Sequence, residues 1–166
     1  MWGGHRTDDN GADLGFALPV PAVASLHAAP PYRVPAMVLL PQGHRLAGRA
    51  ELAPRELEGE ACISLGGQYR LRHLADELFE RHGVHRVMVA ETQNAQAACA
   101  MVAAGLGFAV TDPVTASPFV PRATLVRLAP STVFHIHVLS PPGRPLPLLA
   151  RRFLPQVAAA LARLGV

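Results

Sequence analysis

Residues 91–115 read ETQNAQAACAMVAAGLGFAVTDPVT, and in that one stretch a strand end, a capped helix, a glycine turn and a second strand follow one another. Asn94 precedes a run of helix formers, Ala95 to Ala104, and its side-chain oxygen suits the unpaired amides of a first helical turn. Thr92 is the alternative cap if the helix starts earlier. Either cap is worth about 1 kcal/mol, and Gly105 or Gly107 supplies the left-handed residue that ends the helix. Phe108, Ala109 and Val110 then form a short apolar strand that stops at Asp112-Pro113, because proline lacks an amide and disfavours helix in the residue before it. The helix is apolar nearly all round, which predicts burial against a sheet.

Working outward, the strand Arg86 to Glu91 leads into this helix, and the succession reads as a parallel β-α-β unit. Upstream, Ala61 to Leu65 (ACISL) is a buried strand running into Gly66-Gly67. Leu71, Leu74, Ala75, Leu78 and Phe79 then recur at helical spacing, with Arg72, Asp76, Glu77 and Glu80 on the solvated face and Gly83 as the stop. Earlier still, Ala12 to Leu18 and Arg33 to Leu40 read as strands around a proline-studded connection, and Pro54 opens one helical turn. Downstream, Leu125 to Leu128 and Val133 to Leu139 are short strands. The tail, Leu148 to Leu164, puts Leu149, Phe153, Val157, Leu161 and Leu164 on one helical face; Pro155 within it predicts a kink or restart, at up to about 3 kcal/mol if the helix is continuous.

Half of the 166 residues are hydrophobic, enough for one core or two small lobes. The net charge of +3 comes from a chain with arginine and no lysine, scattered without a basic stripe, so the chain itself does not read as a DNA-binding surface. Cys62 and Cys99 fall on a strand and a buried helix without metal-ligand spacing, as free thiols of a reducing compartment do. No signal-peptide pattern opens the sequence and no run approaches the length of a membrane span, which predicts a cytoplasmic location.

Ligands of such sheets bind outside the carboxyl ends of strands, where helix amides converge. Two donor-rich turns sit there: Ser64, Gly66, Gly67 and Gln68, with Arg70 beside them, and Thr92, Gln93 and Asn94. Taken alone, the first is an ordinary tight turn; paired on neighbouring strands, the two face one cleft suited to a carboxylate or other anion. Asp112, at the next strand end, joins the candidate set. His135 and His137 share one strand face without a third ligand, so no metal site is expected. No GxSxG elbow, HExxH helix, Cys/His pair, P-loop or dinucleotide fingerprint is present, so no catalytic residue and no cofactor are assigned.

Several strings together resemble the effector-binding domain of LysR-type transcriptional regulators. They are Leu39 to Ala47 (LLPQGHRLA, against a family "P.gHpLA" turn), Leu57 to Ile63 (LEGEACI), Phe79 with Gly83, and Glu91-Thr92 followed by Val102 to Gly107 (VAAGLG). Arg45 stands where the family turn usually has proline. The similarity covers most of Ala12 to Leu164. It implies an α/β, periplasmic-binding-protein-like (type 2) fold of two lobes with a small molecule between them, the second lobe complete and the first partial. The expected division is a disordered 1–11, a partial first lobe at 12–37, a second lobe at 38–112, and a return to the first lobe with the C-terminal helix at 113–166. Val34 to Leu40 would be the first crossing strand and Ala109 to Thr115 the return.

The resemblance further implies a module that senses a small polar or carboxylated metabolite rather than transforming it. Ser64, Gly66, Gly67, Gln68, Thr92, Gln93, Asn94 and Asp112 are the expected contacts. The family's helix-turn-helix has no counterpart before Ala12, so DNA contact is expected only through a segment outside this chain. The expected partners are a second copy or a full-length homologue, and no membrane. A stand-alone solute-binding protein and a non-functional truncated fragment are the alternative readings; the latter predicts an exposed sheet edge.

Overall fold

The computed structural model describes residues 12–17, 27–28, 32–141, 143 and 145–166. The expectation of a disordered 1–11, and most of the connection read at Pro19 to Pro31, lie outside the described residues. The described chain divides into two compact units. One comprises the described residues up to Val34 together with Phe134–Val166; the other is Pro35–Val133.

The second unit carries most of the structure. Its strands are β4 (Met37–Pro41), β5 (Glu51–Leu52), β6 (Ala61–Leu65), β7 (Val87–Thr92), β8 (Ala109–Thr111) and β9 (Ala123–Leu128). Its helices are α1 (Arg70–Arg81), α2 (Ala95–Ala103) and the single turn α3 (Pro113–Ala116). Four strands hydrogen-bond in the order β5-β9-β4-β8, and β6 pairs with β7 in parallel register, Ser64 opposite Glu91 and Leu65 opposite Thr92. A parallel bridge from Cys62 to Phe108 ties the two ladders together. Val38, Leu40, Leu57, Phe79, Phe108 and Val126 are fully or almost fully buried at the centre of this core.

The local readings hold where the physics is local. α2 is capped by Asn94, whose Oδ1 accepts from the amides of Gln96 (2.8 Å) and Ala97 (3.1 Å). It ends in a Schellman pattern: the Gly105 amide donates to the Val102 carbonyl and the Leu106 amide to that of Met101, with Gly105 at φ +90°. Gly107 has a different reason to be glycine. A Cβ there would lie 2.3 Å from the Ala61 carbonyl oxygen, because the Phe108 amide donates to that oxygen at 2.8 Å. Pro54 opens a 3-10 turn (Pro54–Leu57), steadied by the Ala53 amide donating to Glu56 Oε2 at 2.9 Å.

Long-range expectations fare differently. The parallel β-α-β unit stands, with one strand between its two: β8 pairs with β4 and adjoins β6, so the β7-α2-β8 crossover passes over β6. α2 is half buried rather than enclosed, with Ala98, Cys99 and Val102 inside and Gln96, Ala100 and Ala104 exposed. The return to the first unit falls at Phe134, not at residue 113. The reason is pairing: β9 aligns with β4 from Met37–Arg127 to Pro41–Ala123, and with β5 at Glu51–Arg127, which keeps 113–133 in the second unit. The strand read as Arg33 to Leu40 is likewise two strands, β3 (Tyr32–Pro35) and β4.

In the first unit, β10 (Val133–Ser140) is flanked by β1 (Gly15–Ala17) and β2 (His27–Ala28), and β3 also pairs with it. The helix α4 (Leu148–Arg163) runs unbroken through Pro155. Its expected apolar face is only partly covered: Leu161 is buried, but Leu149 is 81% exposed and Phe153 is half exposed, in a T-shaped pair with Phe16 at 6.5 Å between centroids.

Candidate functional site

The register of β6 against β7 sets the site. Because Leu65 is opposite Thr92, the two β-α turns emerge side by side at the carboxyl ends of parallel strands, and the Gly66 amide donates directly to the Thr92 carbonyl at 3.1 Å. The Tyr69 hydroxyl donates to the Gln93 carbonyl, a second tie between the turns. Over Gly66 the amide side chains of Gln68 and Gln93 converge: a methyl group on Gly66 would lie 2.6 Å from Gln68 Oε1 and 2.6 Å from Gln93 Nε2. Gly67, Gln68 and Gln93 are exposed.

Of the other expected contacts, Ser64 and Asp112 are taken up by structure, and Asn94 and Thr92 are so through their acceptor oxygens. Asn94 Oδ1 is taken up by the cap, and Thr92 Oγ1 accepts from the Asn94 amide at 3.2 Å. Ser64 is buried, its hydroxyl donating to the Leu65 carbonyl and accepting from Arg72, each at 3.1 Å. Asp112 stands at the end of β8 and caps α3. Its carboxylate accepts from the Thr115 amide (2.8 Å) and the Thr115 hydroxyl (2.6 Å), and it is buried. Arg70 is turned along its helix toward Glu77, at 4.0 Å.

The two helix starts therefore differ. α2 has a side-chain cap; α1 has none, its N-cap position being Tyr69, whose hydroxyl is spent on Gln93. The amides of Arg70, Leu71 and Arg72 are among the four that no intrahelical carbonyl can reach, and the partial positive charge of the helix start adds to them. Neutral donors on exposed ground suit a small anionic or polar group.

Reasoning from sequence missed two residues. Tyr69 gave no signal beyond its place in the turn. Arg72, expected on a solvated face, has its side chain four-fifths buried, and its guanidinium contacts Asp76, Ser64, the Leu65 carbonyl and Glu91. Its i,i+4 spacing from Asp76 was visible; that this helix face lies over the strand ends was not. Asp76 is shared with Arg86, whose guanidinium also stacks over the Phe79 ring at 4.5 Å. Burial alone would push the Asp76 carboxyl up, but the bonds from Arg86 and Arg72 prevail and hold it below its ordinary value. Beneath these arginines lies a cavity of about 10 Å³, lined by Cys62, Leu71 and Val110 among others, with room for about one water and no metabolite. Burial pushes the Cys62 thiol up to about 11, so it is inert at neutral pH. Among the described residues no group of three or more His, Cys, Asp or Glu side chains is placed to hold a metal ion, and no helix is long and apolar enough to cross a membrane.

Parallel strands that end in adjacent turns, one helix start capped and one open, define a small-molecule binding domain of mixed α/β architecture. The family match is specific: residues 5–162 match the LysR substrate binding domain, and the chain belongs to that family as an effector-binding domain of LysR-type regulators. It is 38% identical over 127 residues to the transcriptional activator protein LysR of Escherichia coli K12, covering 76% of this chain and 41% of that protein. It is 30% identical over 153 residues to the regulatory protein NocR of Agrobacterium tumefaciens T37, covering 92% and 51%. The chain thus spans about half the length of these relatives, or less.

Solved structures share the fold. The regulatory domain of CcmR from Synechocystis PCC6803, in complex with 2-PG, superposes with a TM-score of 0.70 at 23% identity, covering 94% of this chain and 76% of that one. The effector-binding domain of QuiR in complex with shikimate gives 0.68 at 15% identity, covering 89% and 71%.

Proposed function

We propose that this domain senses a small polar or carboxylated metabolite at the first β-α turn, with Gly67, the open start of α1, and the Gln68 and Gln93 amides as its contacts. One observation carries the reading. The Leu65–Thr92 register brings both turns together, and the α1 start lacks the side-chain cap that the α2 start has. Ser64, Thr92, Asn94 and Asp112 then act chiefly by shaping the turns, through the Ser64 hydroxyl, the acceptor oxygens Thr92 Oγ1 and Asn94 Oδ1, and the Asp112 carboxylate, while Asn94 Nδ2 and the Thr92 hydroxyl proton stay available as donors at the rim. The ligands named for CcmR and QuiR, 2-PG and shikimate, support an anionic or polar effector for this chain.

The module acts by differential binding, not by covalent chemistry: an effector shifts a regulator only to the extent that it prefers one arrangement over another. Its setting is the cytoplasm, and its output is transcription, through pairing with a second copy or a full-length homologue. The outer strand β7 supports pairing. Val87, Met88 and Val89 are each about half exposed along a strand bonded, among the described strands, to β6 alone.

The test is calorimetric titration of the chain with a panel of small carboxylates that includes shikimate and 2-PG. A ligand that binds wild type should lose about tenfold in affinity in both Gln68→Ala and Gln93→Ala, the effect of one hydrogen bond to a charged group. Wild-type affinity in both variants would remove the ligand from this turn.

A further inference from the structure

Arg72 lies in the first turn of α1 and reaches back over the ends of two strands. Its Nε donates to Asp76 Oδ2 at 2.6 Å. Its Nη1 lies 3.1 Å from Ser64 Oγ, 3.1 Å from the Leu65 carbonyl oxygen and 3.2 Å from Glu91 Oε2. Leu65 is the last residue of β6, and Ser64 and Glu91 are register partners, so one side chain grips the start of α1, the end of β6 and the end of β7 together. Asp76, the anchor of this grip, is itself held by Arg86, which precedes β7 and lies over Phe79.

An ordinary i,i+4 ion pair on a helix face would explain Asp76 and nothing else. The three contacts outside the helix all fall at the roots of the two turns, one residue from Gly66 or Thr92 or closer to the strand interior. Guanidinium geometry matters here: a planar fork serves acceptors in several directions at once, whereas an ammonium is a point charge on a flexible stem. We propose that Arg72 is the positioning residue of the effector turns: by clamping both strand ends to the start of α1, it fixes how Gln68 and Gln93 stand relative to each other. The inference rests on the effector reading above for its purpose, but not for its geometry.

The experiment uses the 166-residue chain as wild type, Arg72→Gln, Arg72→Lys and Glu91→Gln, read by amide hydrogen exchange and by titration with shikimate and 2-PG. In Arg72→Gln, exchange at Gly66, Tyr69 and Asn94, the turn amides that are bonded to Thr92, Gly66 and Thr92, should speed up at least tenfold while Leu39 in β4 and Val126 in β9 hold their rates. Affinity for whichever probe wild type binds should fall about tenfold. Arg72→Lys should recover part of both effects. Glu91→Gln, the mildest change, should loosen Asn94 more than Tyr69, and it carries the test if Arg72→Gln does not fold. Unchanged exchange at the turns, or a rise shared equally by Leu39 and Val126, overturns the proposal, as does loosened turns with wild-type affinity. If wild type binds neither probe, it is the choice of ligand class that fails, and the exchange arm still decides whether Arg72 holds the turns.

Discussion

Two helices begin side by side at the ends of β6 and β7, and they differ in how their first amides are satisfied. At the α2 start, Asn94 closes two donors on itself and Thr92 a third. At the α1 start no side chain does so, and Gly67 and Gln68 lie open beside it. A capped start is complete as a piece of structure; an uncapped one keeps donors for a ligand or for water. The residue types best suited to an anion on paper, Asn94 and Thr92, spend their acceptor oxygens on the fold, which is why the proposed binding role falls to the plainer turn.

The largest expected effect tests the frame that both starts share. Gly107→Ala puts a Cβ against the Ala61 carbonyl at the root of β6, at a φ of +152° that side chains rarely adopt. It should cost about 3 kcal/mol or more of unfolding free energy in urea denaturation. A loss below about 0.5 kcal/mol would mean that the β6–β8 approach leaves room for a side chain at Gly107.

Next comes the cap itself. Asn94→Ala should lower stability by about 1 kcal/mol, with effector affinity within about twofold of wild type. The opposite result, lost affinity at unchanged stability, would move the binding role to α2 and reverse the comparison.

The smallest effect belongs to the ion pairs beneath. Asp76 has its folded value held below the ordinary 3.8, so its contribution to stability is present above that value and is lost as pH falls through the folded one. Asp76→Asn should therefore weaken the fold at about pH 6 and differ less from wild type at about pH 3, read as urea midpoints. An equal deficit at both pH values would show that the carboxylate's charge is not what matters.

How much of this was legible in the sequence follows from the range of each interaction. The Asn94 cap, the Gly105 stop, the strand Ala61–Leu65 and the helix around Leu71 to Phe79 are decided within a few residues, and each stands where the letters put it. β8 lies against β4 and β6 rather than β7, and β9 stays with β4. Both are choices among apolar strands of similar composition that no local signal separates. The exposed faces of α2 and α4 carry the same point, since periodicity gives an apolar face but not what covers it. At the site, adjacency of the two turns was readable from the β-α order. The inward turn of Arg72 was not, because a charged residue at helical spacing looks the same whether its face meets water or the end of a sheet.

The most direct test is a ¹H–¹⁵N correlation spectrum of the chain titrated with a carboxylate that binds it. The account predicts that the amides of Gly67, Gln68, Arg70 and Leu71 move most, while those of Gln96 and Ala97, already held by Asn94, move least. Shifts centred on Gln96 and Ala97, or absent from both turns, would contradict it.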